Sequence, residues 1–313
     1  MAQPAKNITI PIDGSKNSLR SIEYLDLMFG PEHDLKVSLC YILPSIPLIF
    51  EDDISLSRED RARLRALEHK NLQAAEKILA EAKALMVEKG FAEEKIHTAH
   101  KKKDSSIPKD IFRHADAGKS DAILATRRGK TEVKDLFMGE VCRNLVEYCQ
   151  EMPIWILGGH VKSKNVLVAV DSSENALRAV DHAGFMISGT NARVTLFHVI
   201  KTLGGFFPSE VLKEAGDLEE VWRKKAGAQI TPYLEKSKAM LVKAGIPEDR
   251  ISIKVVEGSQ SPANDIIQEA KTASFGTIVL GRRGISMLKE LLMGSVTNRV
   301  LQQSDGFAVW IAQ

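Results

Sequence analysis

The sequence predicts an α/β protein made of two tandem open parallel five-stranded sheets, each with helices on both faces. Three observations predict it. The chain repeats itself at the spacing of a whole domain, each copy alternates short apolar β-rich runs with longer runs of helical period, and a glycine follows the longest helical run of each copy.

The repeat opens with Asn7-Ile-Thr-Ile-Pro-Ile-Asp13-Gly-Ser-Lys-Asn17-Ser-Leu-Arg20. It returns 158 positions later as Asn165-Val-Leu-Val-Ala-Val-Asp171-Ser-Ser-Glu-Asn175-Ala-Leu-Arg178. Further on the shift becomes 155, pairing Gly129 with Gly284 and Trp155 with Trp310. In the first copy, strands are expected at 7–13, 35–43, 96–100, 121–126 and 153–157. In the second they are expected at 165–171, 193–200, 251–256, 277–281 and 307–312. The charged amphipathic run Arg58 to Lys89 reads as a long helix closed by Gly90, and Leu218 to Ala244 is its counterpart closed by Gly245. Asp110-Ile111 and Asp265-Ile266 open the next helix of each copy. The domains are then 1–158 and 164–313, joined by the polar, glycine-containing stretch Gly158–Lys164.

At 313 residues the chain has room for two cores of ordinary size. A formal charge of +2, from 43 Lys and Arg against 41 Asp and Glu, gives no general attraction to nucleic acid or anionic lipid. Lys101-Lys-Lys103 has no aromatic or further basic flank and reads as a solvated strand end. No apolar signal core follows the start and no run is long enough to span a bilayer, so no membrane or nucleic-acid partner is expected and a cytoplasmic protein is. Three cysteines without a Cys-x-x-Cys pair fit a reducing compartment, with Cys142 and Cys149 expected in a core. The eight histidines show no metal-ligand spacing, so no protein-built metal site is expected.

The two copies differ where it matters chemically. Gly281-Arg-Arg-Gly284 leaves an apolar strand, and Gly294-Ser295-Val296-Thr297 begins a helix expected over Val296–Leu301. Glycines at a strand exit let a backbone approach phosphate closely, and a helix N-terminus supplies free N–H donors with a favourable dipole. Ser295 and Thr297 would add hydroxyl donors there. Asp171, expected to end its strand, would either point into the same crevice as an acceptor or cap the following helix. Arg282 and Arg283 could neutralise phosphate, yet Arg127 and Arg128 stand in the other copy, so a structural use is as well supported. His198 is expected as a packed core histidine. The loops Pro44–Ser57 and Lys201–Glu210 lie where a lid would lie.

In the first copy Thr126 replaces Gly281 and Glu140 replaces Ser295. Two unit charges about 4 Å apart repel by roughly 4 kcal/mol at an effective dielectric near 20, so Glu140 should exclude a nucleoside triphosphate. Gly129-Lys130-Thr131 and Gly118-Lys119-Ser120 end like a Walker loop, but the glycine required five residues before the second Gly is Leu124 in one and Arg113 in the other.

These residues resemble the universal stress protein family, in its tandem form and its nucleotide-binding branch. The pattern Gly-x-x-Gly, nine residues, Gly-Ser/Thr is met by Gly281, Gly284, Gly294 and Ser295 without a gap. The resemblance implies a Rossmann-like fold whose terminal strands, Pro153–Leu157 and Phe307–Ile311 here, pair across a twofold axis, so that the halves form an internal pseudo-dimer. A further homodimer is left open. It also implies a stress-response or regulatory protein that binds ATP, or ADP or AMP, with Mg²⁺ able to accompany the phosphates. The binding residues would be Ala169, Val170, Asp171, Val199, Leu280, Gly281, Gly284, Gly294, Ser295, Val296 and Thr297. The first domain would be structural or would meet an unidentified protein partner. No Ser-His-Asp set or paired acids appear, so the alternatives are a slow ATPase or nucleotidyl-transfer enzyme on the same scaffold, or an interaction module without ligand.

Overall fold

The structure is a computed structural model of the chain, and it describes residues 5–31, 33–45, 56–127, 139–213, 216–258, 261–284 and 293–313. The first half runs β1 (Lys6–Pro11), α1 (Lys16–Met28), β2 (Leu35–Leu43), α2 (Arg58–Glu88), β3 (Ile96–Lys102), α3 (Ile107–Ala117), β4 (Ala122–Thr126), α4 (Glu140–Tyr148) and β5 (Ile154–Gly158). The second runs β6 (Val166–Ala169), α5 (Glu174–Ile187), β7 (Val194–Ile200), the short α6 (Ser209–Leu212), α7 (Leu218–Lys243), β8 (Ile251–Glu257), α8 (Pro262–Thr272), β9 (Thr277–Gly281), α9 (Ser295–Gln302) and β10 (Phe307–Ala312).

Equivalent local signals produce equivalent elements. Asp13 and Asp171 each accept the amide of the serine two residues on, at 3.0 Å, and that serine caps the next helix. An Asx turn followed by a serine cap explains why the strand stops and the helix starts there. Gly90 and Gly245 take left-handed backbone at φ +89° and +94°, and the residue after each returns its amide to the helix, to Met86 and Leu241. That is the expected glycine-terminated helix end.

The two expected sheets are one. Ten strands lie in the order β3-β2-β1-β4-β5-β10-β9-β6-β7-β8, parallel throughout except where β5 meets β10 antiparallel. The register repeats between halves: Ile8 opposes Val37 as Val166 opposes Val194. Each half alone leaves its last strand as an unpaired edge, and pairing the two edges satisfies both rows of backbone groups. Trp155 sits directly opposite Trp310 at that seam. The expected linker begins one residue later than read, because Gly158 is the last residue of β5 and opposes Phe307. A side chain on Gly158 would run into the Ser304 carbonyl.

Alternation along the strands sends side chains into two cores, one on each face. One holds Ile8, Ile10 and Val168 under α1, α2, α5 and α7; the other holds Ile123, Ile156 and Ile278 under α3, α4, α8 and α9. Each core runs through both halves. Cys142 and Cys149 are buried in the second, as expected. Lys6 ties the halves as well: it is 1% exposed, and its ammonium donates to the carbonyls of Met186 and Ser188 at 3.0 and 2.7 Å. Burial pushes its pKa down to about 8.

Candidate functional site

A cavity of about 460 Å³ opens at the carboxyl ends of β6, β7 and β9, where open parallel sheets take ligands. All eleven residues expected at the site line it: Ala169 at the end of β6 with Val170 and Asp171 after it, Val199 on β7, Leu280 and Gly281 on β9, Gly284 beyond it, and Gly294 through Thr297 at the start of α9. The strand order places these groups side by side, β9 next to β6 and β6 next to β7.

The helix end is the principal donor. Asn298 gives the first helical bond of α9 to the Gly294 carbonyl at 2.9 Å, so the amides of Ser295, Val296 and Thr297 precede it. These residues line the cavity, and a helix N-terminus with its dipole behind it favours an anion. Two expected donors are otherwise engaged. The Gly294 amide bonds the Arg282 carbonyl at 2.9 Å, and the buried Thr297 hydroxyl donates back to the Gly281 carbonyl at 2.9 Å. Thr297 therefore locks α9 onto β9, and its hydroxyl is not left for the cavity.

The glycines have distinct reasons. A Cβ on Gly281 would stand 2.7 Å from the backbone carbonyl of Asn175, so this glycine lets α5 approach β9. A Cβ on Gly284 would stand 2.6 Å from Asp171 Oδ2. Only a bare backbone leaves that carboxylate in place. At Gly294 a Cβ would meet the Arg282 carbonyl and Arg283 Cα at 3.3 Å, so that backbone would have to give by a few tenths of an ångström. Asp171 itself lies two residues beyond the end of β6, not on the strand, and its Oδ1 is held by the Ser173 amide at 3.0 Å.

Arg282 is not a phosphate ligand. It is 4% exposed, and its guanidinium donates to the carbonyls of Val146 and Glu147 at 2.6 and 3.0 Å and of Cys149 at 3.2 Å, at the end of α4 in the other half. Arg127 does the converse, reaching the Leu301 and Gln302 carbonyls at the end of α9 at 3.2 and 3.3 Å. Arg283, by contrast, lines the cavity.

His198 corrects a second expectation. It is only partly buried and lines the cavity, with Nδ1 at 2.7 Å from the Val170 carbonyl. Burial lowers its pKa, against the opposing pull of that carbonyl and of the Asp171 charge. Sequence reading also missed the α7 wall. Trp222, Ala226 and Ile230 face the cavity at a spacing of four, which is the helical signal that could have found them. The expected lid Lys201–Glu210 is tied down by α7: Trp222 Nε1 donates to the Lys201 carbonyl at 2.6 Å, Glu219 accepts the Leu203 amide at 3.1 Å, and Phe206 lies edge-on to Trp222.

In the first half, the Thr126 hydroxyl is spent on Ser21 at 2.6 Å, and Glu140 opens α4 as an exposed acid at its positive end. The stretch 128–138, with Gly129 and the Walker-like Gly129–Thr131, lies outside the described residues, as does most of the loop Pro44–Ser57. Among the described residues no three His, Cys, Asp or Glu cluster as a metal site would require, and no helix is long and apolar enough to cross a membrane.

Fold and cavity together define a class: a duplicated α/β protein with one sheet shared by two like halves and a crevice at its strand ends. The chain belongs to the Universal stress protein family, whose model matches it twice, over residues 4–156 and 162–309. Universal stress protein YxiE of Bacillus subtilis (strain 168) is 32% identical over 148 residues, 44% of this chain and 92% of that protein. Universal stress protein MJ0531 of Methanocaldococcus jannaschii is 28% identical over 151 residues, 48% of this chain and 82% of that protein. The crystal structure of a universal stress protein from Archaeoglobus fulgidus DSM 4304 agrees in fold over 99% of this chain and 98% of its own, with a TM-score of 0.65 at 19% identity.

Proposed function

We propose that the second half binds an adenine nucleotide, ATP foremost, and that the first half is a structural or partner-binding copy. One observation carries the reading: the leading amides of α9, the side-chain-free backbone of Gly284 and the Asp171 carboxylate face one cavity. Amides and dipole suit phosphate, and the carboxylate suits a hydroxyl or amino donor. Magnesium would be held by the phosphates and water, in keeping with its preference for few protein ligands. The chain's own residues bind and orient; the function is occupancy, signalled outward through Lys201–Glu210 and α7.

The exposed faces of Phe206 and Phe207 within that segment would carry the signal to a protein partner. Trp222 gives the test. The other two tryptophans are fully buried at the seam, so a saturable change in emission on adding MgATP should come from Trp222 and vanish in Trp222→Phe. An unchanged spectrum together with no calorimetric heat at millimolar ATP would reject the reading.

A further inference from the structure

We infer that His198 reads the base of the bound nucleotide and selects a 6-aminopurine over a 6-oxopurine; the inference rests on the nucleotide reading of the cavity. Strand order fixes where the base must lie. Phosphate binds at the β9–α9 end, Asp171 stands after the neighbouring β6, and His198 stands on β7 beyond it. Strands lie about 4.8 Å apart, so β9 to β7 spans about 10 Å, the reach of a nucleotide from its first phosphate to the far edge of its base. At the β7 end the walls are largely apolar, with Val199, Ile230, Pro262, Ile266 and Trp222 beside the polar Lys201 and Gln229. A flat aromatic base suits those walls.

The chemistry of the imidazole then decides which base. The Val170 carbonyl can only accept, so Nδ1, 2.7 Å away, carries the proton. Burial disfavours the charged ring, so Nε2 is left as an acceptor. No described residue donates to it. The Val170 amide is itself bonded to the Phe197 carbonyl at 2.9 Å, which holds the peptide and therefore the ring orientation. An acceptor in an apolar wall favours a ligand that brings an N–H, as the amino group of adenine does. The carbonyl oxygen of hypoxanthine or guanine would set lone pair against lone pair. In the first half the repeated strand register places Tyr41 at this position, packed against the core.

Calorimetric titration with ATP and with inosine triphosphate, which differ in the 6-substituent and in the proton on the adjoining N1, tests the inference. Wild type should prefer ATP by about tenfold or more. His198→Leu should bring the two affinities within about twofold, and His198→Gln, which keeps an acceptor, should retain part of the preference. ATP binding with the same ATP-to-ITP ratio in wild type and His198→Leu would overturn the role of His198 while leaving the nucleotide site standing. No binding of either nucleotide by wild type would overturn both. Should the Leu variant not fold, ¹⁵N spectra of the wild-type histidines decide. The Nδ1–H tautomer and an Nε2 shift on ATP but not ITP are expected, and an Nε2–H tautomer in the free protein contradicts the inference.

Discussion

Arg127 and Arg282 occupy the same position in the two halves, and each donates to the last carbonyls of a helix in the other half. A guanidinium at a helix C-terminus both satisfies orphan carbonyls and complements the dipole. The helix that Arg127 holds is α9, whose opposite end faces the cavity. The half without the glycine set thus helps to position the cavity-facing helix of the half that has it.

The two arginines should therefore give different phenotypes. Arg282 is buried, and Arg282→Ala removes its hydrogen bonds to three carbonyls, of which, among the described residues, Cys149 alone keeps another side-chain donor, Gln313, so it should destabilise the chain by about 2–4 kcal/mol in denaturant melts. Arg127 makes longer, more exposed bonds. Arg127→Ala should cost about 1 kcal/mol or less in the same melts yet weaken ATP binding severalfold. Equal stability losses with unchanged affinity would show that α9 is placed without Arg127.

Gly281 and Gly284 should separate folding from binding. Gly281→Ala presses a methyl into the backbone of Asn175, so α5 must lift from β9 at a cost of about 1–3 kcal/mol. Among the described residues Gly284→Ala meets only the Asp171 carboxylate, so its stability loss should be smaller and its loss of ATP affinity larger. Melting curves and titrations of both variants check the crossover.

His182 and Tyr24 are counterparts in the repeat, and each accepts the indole N–H of the other half's tryptophan at 2.9 Å. His182 lies edge-on to both Trp155 and Trp310, which stack on each other 3.8 Å apart, and burial drives its pKa down to about 3. The sign follows from linkage: below about pH 6.5 the unfolded chain takes up a proton that the folded chain refuses, so stability falls as pH drops from there toward 3. His33, His114 and His198, also held low, act in the same direction. His182→Gln keeps an acceptor for Trp155 without the titration. Its stability-against-pH curve between 6 and 4 should be shallower than wild type by about one proton.

Tyr24→Phe isolates the seam from the site. The lost hydroxyl served both Trp310 Nε1 and the Thr277 hydroxyl, at 2.9 and 2.8 Å, all buried. Leaving them unpaired should cost about 1–3 kcal/mol with ATP affinity unchanged, read by denaturant melts and calorimetry on one preparation.

The fold was legible in the sequence because local signals recur: the Asp-x-Ser turn and cap after β1 and β6, and the helix-closing Gly90 and Gly245. The cavity lining was legible through spacing, since Gly281, Gly284, Gly294 and Ser295 follow one strand exit and one helix start. What escaped depends on the seam or on side-chain direction. Nothing near Arg282 in sequence shows that the end of α4 will stand beside it, because only the β5–β10 pairing brings it there. Gly281 read as room for phosphate, although Asn175, over a hundred residues earlier, needs the room. His198 read as core because its neighbours are apolar, and only the Val170 carbonyl reveals which nitrogen is left to the cavity.

The central claim is one nucleotide site per chain, at α9. Calorimetry of ATP with Mg²⁺ on wild type and Gly294→Glu tests it most directly, since the new carboxylate would stand at the start of α9, one residue before the position where α4 carries Glu140. One site in wild type and none in the variant is the predicted result. Two sites of equal affinity, or one site that survives Gly294→Glu, would contradict it.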